Sequence, residues 1–225
     1  MICAIVLAAG LSRRMGVQKL LLPFGGKTVI AHIVDQLLGS RIDKVYVVTG
    51  HQAERISGEL SGLRVSIVNN PDYESGMLSS VRRGLRALPE QCKGVLVALG
   101  DQPSITSKLV DRMIESFVAA EKQMYRGHPA RESRAGRPRH VRIIVPCFDG
   151  KRGHPILFSE VYRQEILTCY DDVGLRGLLH AHSGEVYELA VSTSSVLSDM
   201  DIPQDYRREL AAMEGNADQL DPQTE

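Results

Sequence analysis

The sequence predicts an α/β fold, a three-layer sandwich in which helices cover both faces of a mostly parallel β-sheet. Three observations support this prediction. The first residues, Met1–Ala9, form an apolar run without alternation, which is typical of a strand buried on both faces. Short β-branched runs and segments with helical spacing then alternate along the chain. At 225 residues, the chain has the length of one domain with a large core.

After the first strand and its loop, the region up to residue 120 is predicted to alternate helix and strand. The first helix shows the reason, since Val29, Ile33 and Leu37 recur on one face. Most of the predicted strands are short apolar runs that stop at a glycine or an asparagine. In order, the elements are helix Val29–Leu38, strand Lys44–Thr49, helix Ala53–Leu60, strand Val65–Val68, helix Met77–Leu88, strand Gly94–Leu99 and helix Ser107–Ala120.

The rest of the chain alternates less regularly. Tyr125–Arg142 contains six arginines against a single acidic residue, with glycine and proline interspersed. Because such a segment cannot form a packed core, we expect a basic loop inserted at about residues 125–142. This loop either contacts an anionic substrate or a partner, or is a solvated surface. The other elements are strand Ile143–Val145 ending in Pro146, helices Ser159–Leu167 and Leu175–His180, strand Val186–Val191 and a helix from Pro203. One domain over residues 1–213 and a polar tail over 214–225 are expected.

The composition excludes several classes of protein. The formal net charge is zero, so the whole molecule is not an electrostatic binder of nucleic acid. The four cysteines are scattered without a C-x-x-C pair, which argues against a zinc site or a disulfide framework and favours a reducing cytosol. The chain has neither the basic start of a signal peptide nor an apolar run of membrane-spanning length. We therefore expect a soluble cytoplasmic protein that acts without nucleic acid or membrane.

The segment Gly10–Lys19 is the strongest functional signal. It follows the buried first strand, whose carboxyl end exposes backbone N–H groups that bind anions, most often phosphate. Arg13, Arg14 and Lys19 add three cations to the same loop. The spacing matches neither G-x-x-x-x-G-K-[ST] nor G-x-G-x-x-G. A small-residue loop with three cations therefore predicts a triphosphate site, and the alternative is a tight turn whose cations face water.

Asp101 supplies a second signal. It follows the predicted strand Gly94–Leu99 within the tetrapeptide G-D-Q-P. A carboxylate at that end of the sheet faces the phosphate loop and is well placed to hold Mg²⁺, which binds to one or two carboxylates and to substrate phosphates. The alternative is that Asp101 caps the helix that begins near Thr106 or Ser107.

A second carboxylate is available near the C-terminus. We select Asp201, two positions before Pro203, and keep Asp199 in reserve. The alternative is that Asp201 or Ile202 is the N-cap of a helix that starts at Pro203. The two interpretations do not exclude each other.

A longer pattern begins inside the first strand and runs through the phosphate loop. It consists of Leu7, Ala8, Ala9, Gly10, Ser12, Arg14, Met15, Gly16 and Lys19. These residues match the L-A-A-G-x-S-x-R-M-G-x-x-K signature, so the chain resembles the nucleotidyltransferases related to the molybdenum cofactor cytidylyltransferases. Further matching segments are Asn70–Pro71, Gly76–Ser80, Gly100–Pro103, Gly153–Pro155, Asp172–Arg176 and Asp199–Asp205. Asp171 departs from the family, which has glycine there. The resemblance implies a Rossmann-like sheet of the nucleotidyltransferase type.

The resemblance implies nucleotidyl transfer with Mg²⁺ as the cofactor. Lys19, Arg14 and Asp101 are the implied catalytic residues, and Asp101 and Asp201 are the implied metal ligands. The implied nucleotide-binding residues are Leu7, Ala8, Ala9, Gly10, Ser12, Arg13, Gly16, Asn70, Gly76, Ser79 and Ser80. The implied substrate-binding residues are Gln102, Pro103, Gly153, His154, Pro155 and Arg176. His154 is expected to bind or orient the acceptor, because a phosphate nucleophile is already ionised at pH 7 and needs no base.

The resemblance also implies the substrates. CTP is the nucleotide and molybdopterin-bound molybdenum is the acceptor, and a molybdenum hydroxylase is a further partner that this interpretation allows. The Ala8–Ala9 pair fits the cytidylyl branch, since the guanylyl branch usually reads L-A-G-G. The alternatives are a guanylyltransferase, a cytidylyltransferase for sugar or polyol phosphates, and a non-catalytic carrier of the cofactor. Sugar and polyol enzymes usually have proline before the lysine, where this chain has Gln18.

Two further expectations concern Lys19 and the segment Gly76–Ser80. Losing Lys19, taken as an exposed loop cation, is expected to reduce turnover far more than stability. Gly76 is expected to let the protein backbone approach the nucleotide closely, and the hydroxyls of Ser79 and Ser80 are expected to bond a pyrimidine edge. The alternative for this segment is a plain helix start with Ser75 as the N-cap.

Overall fold

The structure, a computed structural model, describes residues 1–125 and 141–217. Its strands are β1 Ile2–Ala8, β2 Pro23–Phe24, β3 Lys27–Thr28, β4 Lys44–Thr49, β5 Val65–Asn69, β6 Gly94–Leu99, β7 Ile143–Phe148, β8 Lys151–Arg152, β9 Ile156–Ser159 and β10 Val186–Ala190. Its α-helices are α1 Val29–Leu38, α2 Ala53–Glu59, α3 Met77–Ala87, α4 Ser107–Tyr125, α5 Arg163–Thr168, α6 Leu175–Ala181 and α7 Pro203–Ala217.

A mixed sheet forms the middle layer, in the strand order β10-β7-β9-β6-β1-β4-β5, with β8 paired to the end of β7. β1 pairs in parallel with both β4 and β6. The β4–β5 and β7–β10 pairs are also parallel, whereas β9 runs antiparallel between β6 and β7. The predicted α/β class with a mostly parallel sheet is therefore confirmed.

Alternate residues of β1 pack into two separate cores. Ala4 and Val6 face the core formed with α1 and α4. Cys3 and Ile5 face the core formed with α3 and α6. All four side chains are fully buried. A strand with helices on both faces has no solvated side, which is why its sequence is apolar without alternation.

The sheet topology brings the predicted site loops to one edge. The loop Gly10–Lys19 follows β1, Asn70 follows β5 and Gly100–Pro103 follows β6, and all three strands are parallel. Because β9 is antiparallel to β6, the segment Gly153–Pro155 before β9 lies at the same edge. Ligands of open α/β sheets bind at this carboxyl edge.

The end of α4 corrects one predicted boundary. The helix continues to Tyr125 rather than stopping at Ala120. Strong helix formers such as Glu121 and Lys122 follow Ala120, and the first helix breaker is Gly127. Tyr125 is therefore helical, and the prediction that the basic loop starts there was wrong. Residues 126–140 of that predicted loop lie outside the described residues.

Pro146 does not end β7, contrary to the prediction. The strand continues to Phe148. The residues after Pro146 extend the strand because they pair with β8 and β10, with Cys147 opposite Arg152 and aligned with Ala190. The Pro146 carbonyl accepts from the Gly153 N–H at 2.8 Å, so the missing N–H removes at most the reciprocal bond of that one pair.

The sequence analysis missed the short strands. It assigned Ser159 to a helix, but Ser159 ends β9, and the helical turn begins at Glu160. It also missed the β2–β3 hairpin, which has two residues in each strand.

At the C-terminus, α7 extends to Ala217, so residues 214–217 of the predicted tail are helical. Among the described residues, no helix combines the length and apolar character that a membrane crossing requires.

Candidate active site

The loop after β1 is braced from inside by two polar side chains. Ser12 Oγ donates to Gln18 Oε1 at 2.7 Å and accepts from the Lys19 N–H at 3.3 Å. The buried Gln18 side chain donates through Nε2 to the Gly10 carbonyl at 3.3 Å. Ser12 and Gly16 both have positive φ, of 50° and 70°. The loop therefore holds its curved shape through its own side chains.

This brace gives Ser12 and Gln18 a structural role that the sequence analysis did not assign. Ser12 was expected to bind the nucleotide, and its hydroxyl is engaged within the loop, so the nucleotide contact stays a prediction. Gln18 was noted only as a departure from proline. The signal that could have found it is a long amide side chain directly before the lysine of an otherwise small and basic loop.

Lys19 lies between two carboxylates at the centre of the edge. Its Nζ is 2.5 Å from Asp101 Oδ2 and 3.1 Å from Asp201 Oδ1, and its side chain is 12% exposed. The view of Lys19 as an exposed loop cation was therefore wrong. Burial lowers the pKa of Lys19, but the two aspartates more than offset this, and the pKa is raised above its ordinary value. Lys19 stays protonated at neutral pH.

Two arginines extend the positive charge outwards. Arg14 pairs with Asp201 Oδ2 at 2.7 Å, and its side chain is 74% exposed. Arg13 is exposed and has no hydrogen bond or ion pair with another described residue. The loop thus presents one buried cation and two accessible ones, as a site for an elongated polyphosphate requires.

Asp101 is placed by the close contact between β6 and β1. The Gly100 N–H donates to the Leu7 carbonyl at 3.0 Å, and a Cβ on Gly100 would lie 2.7 Å from that oxygen. Glycine is therefore required directly before Asp101. The alternative role for Asp101 as a helix cap was wrong, because Thr106 Oγ1 accepts from Leu109 N–H in the first turn of α4.

Asp199 and Asp201 lie on a segment that crosses the edge beside Asp101. The Met200 N–H donates to the Asp101 carbonyl at 3.1 Å. Gln102 Nε2 donates to Asp199 Oδ1 at 2.6 Å, and Gln102 is only 1% exposed. Burial raises the pKa of Asp199, and the neighbouring carboxylates act in the same direction. Gln102 and Pro103 are buried, so their expected contact with substrate stays a prediction.

The donors around Lys19 fit a hard divalent cation. Asp101 and Asp201 converge on one Nζ, so their oxygens border the same small space. Within residues 1–125 and 141–217, no group of three or more His, Cys, Asp or Glu is placed to hold a metal alone. Mg²⁺ does not need one, because it takes one or two carboxylates and fills its remaining positions with phosphate and water. Two aspartates therefore suit a Mg²⁺ that also contacts a nucleotide.

The segment Gly153–Pro155 is packed tightly against the turn before the aspartates. A Cβ on Gly153 would lie 2.2 Å from the Val196 carbonyl, so only glycine fits. The His154 N–H donates to the same carbonyl at 3.0 Å, and the His154–Pro155 peptide bond is cis. These contacts fix the direction in which the His154 side chain leaves the backbone.

His154 lies within the electrostatic reach of both the carboxylates and Arg176. Burial lowers the pKa of His154 and Arg176 adds to this, while Asp199 and Asp101 act in the opposite direction. The imidazole is therefore neutral at pH 7. Arg176 is exposed in the first turn of α6 and has no ion pair with another described residue. A neutral histidine and a free guanidinium can orient an anionic acceptor without proton transfer.

Asn70 holds together the segment between β5 and α3. Its buried Nδ2 donates to Ser79 Oγ and Ser80 Oγ, each at 2.9 Å. Gly76, with φ of 100°, is the N-cap of α3, and no side chain caps the helix, so the alternative of a Ser75 cap was wrong. The serine hydroxyls are thus engaged with Asn70. Their contact with a pyrimidine stays a prediction.

The end of β4 forms a neighbouring wall of the site, as expected for Gly50–Gln52 at the carboxyl end of a parallel strand. The His51 N–H donates to the Ala9 carbonyl at 3.3 Å. A Cβ on Gly50 would lie 2.6 Å from the Tyr73 side chain and 2.9 Å from the Ala9 Cβ. His51 and Tyr73 therefore border the loop root from the side opposite Asp101.

A match to a protein-family model identifies the class of protein to which this site belongs. The model of the MobA-like NTP transferase domain matches residues 4–186, which include most of β1, the phosphate loop and Asp101. The chain belongs to the MobA-like NTP transferase family. It is therefore a nucleotidyltransferase, and the resemblance inferred from its motifs is confirmed.

Three relatives that align with nine tenths or more of this chain carry different names. The molybdenum cofactor cytidylyltransferase of Escherichia coli (strain K12) is 26% identical over 203 residues, which cover 90% of this chain and 92% of that protein. The purine catabolism protein PucB of Bacillus subtilis is 31% identical over 213 residues, covering 90% and 92%. The nicotine blue oxidoreductase of Paenarthrobacter nicotinovorans is 30% identical over 209 residues, covering 92% and 95%.

Solved structures agree with the fold. The Rv0371c protein of Mycobacterium tuberculosis H37Rv superposes with a TM-score of 0.77 at 28% identity, covering 93% of this chain and 97% of that one. A manganese complex of the same protein superposes with a TM-score of 0.73 at 26% identity, covering 94% and 98%. A divalent metal is thus present in a structure similar to this MobA-like chain.

Asp199 and Asp201 lie outside the part of the chain that the family model matches. The match ends at residue 186, before the short helical turn Ser194–Leu197 and α7. Nevertheless this segment supplies one of the two carboxylates that hold Lys19. The site of this MobA-like chain is therefore completed by residues outside the matched domain.

Proposed function

We propose that the chain transfers CMP from CTP to the phosphate of molybdopterin-bound molybdenum, releasing pyrophosphate and forming the cytosine dinucleotide. The observation that carries this proposal is the buried Lys19, held 2.5 Å from Asp101 and 3.1 Å from Asp201 beside two accessible arginines. This arrangement combines cations for a triphosphate with carboxylates for a metal at one edge of the sheet.

The reaction requires positioning rather than proton transfer. An oxygen of the acceptor phosphate attacks the α-phosphorus, and the bond from that phosphorus to the oxygen bridging the α- and β-phosphates breaks. Lys19 neutralises charge near the α- and β-phosphates, while Arg14 and Arg13 hold the leaving pyrophosphate. Asp101 and Asp201 would hold Mg²⁺, which supplies further charge neutralisation for the phosphates.

Three observations favour CTP and a molybdopterin acceptor. The Ala8–Ala9 pair follows the cytidylyl pattern, and the relative from Escherichia coli (strain K12) is named for this activity. On the acceptor side, Arg176 is an accessible guanidinium next to a neutral His154, and this combination suits a phosphate flanked by a polar ring system. The cysteines are free in the described structure, which fits the cytoplasmic location that the sequence predicts.

The test is pyrophosphate release with Mg²⁺ and molybdopterin-bound molybdenum, comparing CTP, GTP, ATP and UTP. We expect release with CTP, abolished by EDTA and strongly reduced in Asp101→Ala. Preference for GTP would replace the cytidylyl assignment by the guanylyl alternative. Retained CTP binding without release would favour a cofactor carrier, and release only with sugar or polyol phosphates would change the acceptor.

A further inference from the structure

Asp201 has no regular secondary structure to hold it. It lies between the turn Ser194–Leu197 and α7, and its side chain is 45% exposed. Its partners Lys19 and Arg14 come from the phosphate loop, at the other end of the sequence. A half-exposed carboxylate of this kind keeps one position only if its backbone is anchored on both sides.

The first anchor precedes Asp201. Met200 is fully buried, and its N–H donates to the Asp101 carbonyl at 3.1 Å. Gln102 adds its hydrogen bond to Asp199 at 2.6 Å. The segment is thereby attached to the loop that follows β6.

The second anchor follows Asp201 and consists of one side chain. Asp205 Oδ2 accepts from the Asp201 N–H and from the Ile202 N–H, each at 3.1 Å. Ile202 immediately precedes Pro203, the first residue of α7, and Asp205 is the third residue of that helix. A side chain at the third helical position that reaches back to the N-cap N–H is one half of a capping box, and the other half is absent because the N-cap residue Ile202 has no side-chain acceptor. The additional bond to Asp201, outside the helix, extends the cap to the active-site carboxylate.

The helix that carries Asp205 is itself firmly docked. Within the helix, Asp205 Oδ1 accepts from Arg208 at 3.0 Å, and two contacts with other elements hold the helix in place. Tyr206 OH donates to the Pro23 carbonyl at 2.7 Å, and the buried Glu209 accepts from Ser104. Asp205 therefore connects Asp201 to a rigid element rather than to a loop.

We propose that Asp205 is a positioning residue that holds the Asp201 carboxylate between Lys19 and Arg14. Without Asp205, the Asp201 backbone is tethered on one side only, and its carboxylate leaves the position shared with Asp101. Misplacement of an active-site group by about 1 Å can cost roughly a hundredfold in rate. The expected effect of Asp205 on turnover rests on the proposed function, whereas the expected effect of Asp205 on metal binding does not.

The experiment compares Asp205→Ala with Tyr206→Phe, which removes a docking bond from the same helix without touching Asp201. Mn²⁺ binding, with and without CTP, is measured by the electron paramagnetic resonance signal of free Mn²⁺, and kcat and KM for CTP are measured in parallel. We expect Asp205→Ala to weaken Mn²⁺ binding about tenfold and to lower kcat about tenfold to a hundredfold, with KM for CTP changed less than threefold. Tyr206→Phe should leave both quantities within twofold.

A third variant separates geometry from charge. Asp205→Asn keeps an oxygen acceptor for both N–H groups but removes the negative charge, so we expect Mn²⁺ binding and kcat within threefold of the wild type. Equal losses in Asp205→Asn and Asp205→Ala, or in Tyr206→Phe and Asp205→Ala, would overturn the proposal, as would unchanged Mn²⁺ binding in Asp205→Ala. If the wild type releases no pyrophosphate with any triphosphate, the proposed function fails, and the Mn²⁺ comparison still decides the role of Asp205.

Discussion

Polar clusters lie at both ends of the parallel sheet, and they differ in how far their groups satisfy one another. At the amino end, the buried Tyr162 donates to Glu185 Oε2 at 2.8 Å. His182 Nε2 lies 3.0 Å from both carboxylate oxygens of Glu165, which also accepts from Tyr170. Each of these groups finds its partner within the cluster.

The cluster at the carboxyl end is left incomplete. Lys19 is shared by Asp101 and Asp201, but Arg13 and Arg176 have no ion pair with another described residue. The buried Gln102 Oε1 accepts no hydrogen bond from another described residue. A buried acceptor without a partner costs stability unless a ligand or water completes it, whereas exposed guanidinium groups are solvated and accessible to a ligand.

A binding site can thus be separated from a structural network of similar composition by how completely its polar groups are paired. Both clusters contain carboxylates and a histidine or lysine, so residue types alone do not distinguish them. At the amino end, Tyr162, Glu165, Tyr170, His182 and Glu185 are paired with one another and stabilise the fold, although Arg142 Nε lies 3.5 Å from Glu185 without a hydrogen bond to another described residue. The carboxyl-end groups retain capacity for an anion and a metal. Substitutions in the two clusters should therefore change different quantities.

The largest expected effect is on activity, from Lys19→Met. Removing a buried cation that faces the reacting phosphates should lower kcat about a hundredfold to a thousandfold. The free energy of unfolding should fall by only about 1–3 kcal/mol, because the largely buried Asp101 loses its partner at 2.5 Å. Pyrophosphate release and urea unfolding measure the two quantities. Lys27→Met, in the β2–β3 hairpin, is the matched control, and equal kcat for the two variants would remove Lys19 from the site.

The second effect is on stability, from Glu185→Ala. It leaves the buried Tyr162 hydroxyl without an acceptor, which should lower the free energy of unfolding by about 1–3 kcal/mol. Activity per folded molecule should stay unchanged. Urea unfolding is compared with Glu188→Ala, which breaks an exposed pair with Arg152 and should cost less than about 1 kcal/mol. A lower kcat in Glu185→Ala would contradict the separation of the two clusters.

A smaller effect is expected from Arg176→Ala. Its free guanidinium should contribute a charged hydrogen bond to the acceptor, so KM for the acceptor should rise roughly tenfold. KM for CTP should stay within twofold. Steady-state kinetics with each substrate varied in turn measure both constants. A rise confined to CTP would place Arg176 on the nucleotide side instead.

The smallest effect concerns acid stability at the amino end. The hydrogen bond from Tyr170 lowers the pKa of Glu165, and the contact with His182 adds to it, while burial opposes them. A carboxyl with a depressed folded pKa stabilises the fold above its unfolded pKa of about 4.3, and this contribution is lost as the pH falls through the folded value. The melting temperature should therefore fall below about pH 4.3, less steeply in Glu165→Gln. Parallel acid profiles for the two proteins would exclude this contribution.

Local patterns were sufficient for the regular elements. The bounds of α1, β4 and β6 agree with their predictions, because helical spacing and short apolar runs are properties of neighbouring residues. The antiparallel β9 was missed, since three apolar residues before Ser159 carry too little signal. The motif Gly10–Lys19 was found because its residues are contiguous and chemically distinctive.

The class of the fold, the phosphate loop and the candidate aspartates could all be predicted from the sequence, because each depends on residues close together in the chain. How these parts combine depends on the folded structure. Lys19 and Asp201 are 182 positions apart, and no local pattern shows that they are in contact or that Lys19 is largely buried. The brace by Gln18 and the cap by Asp205 likewise depend on where folded segments meet, which long-range packing decides.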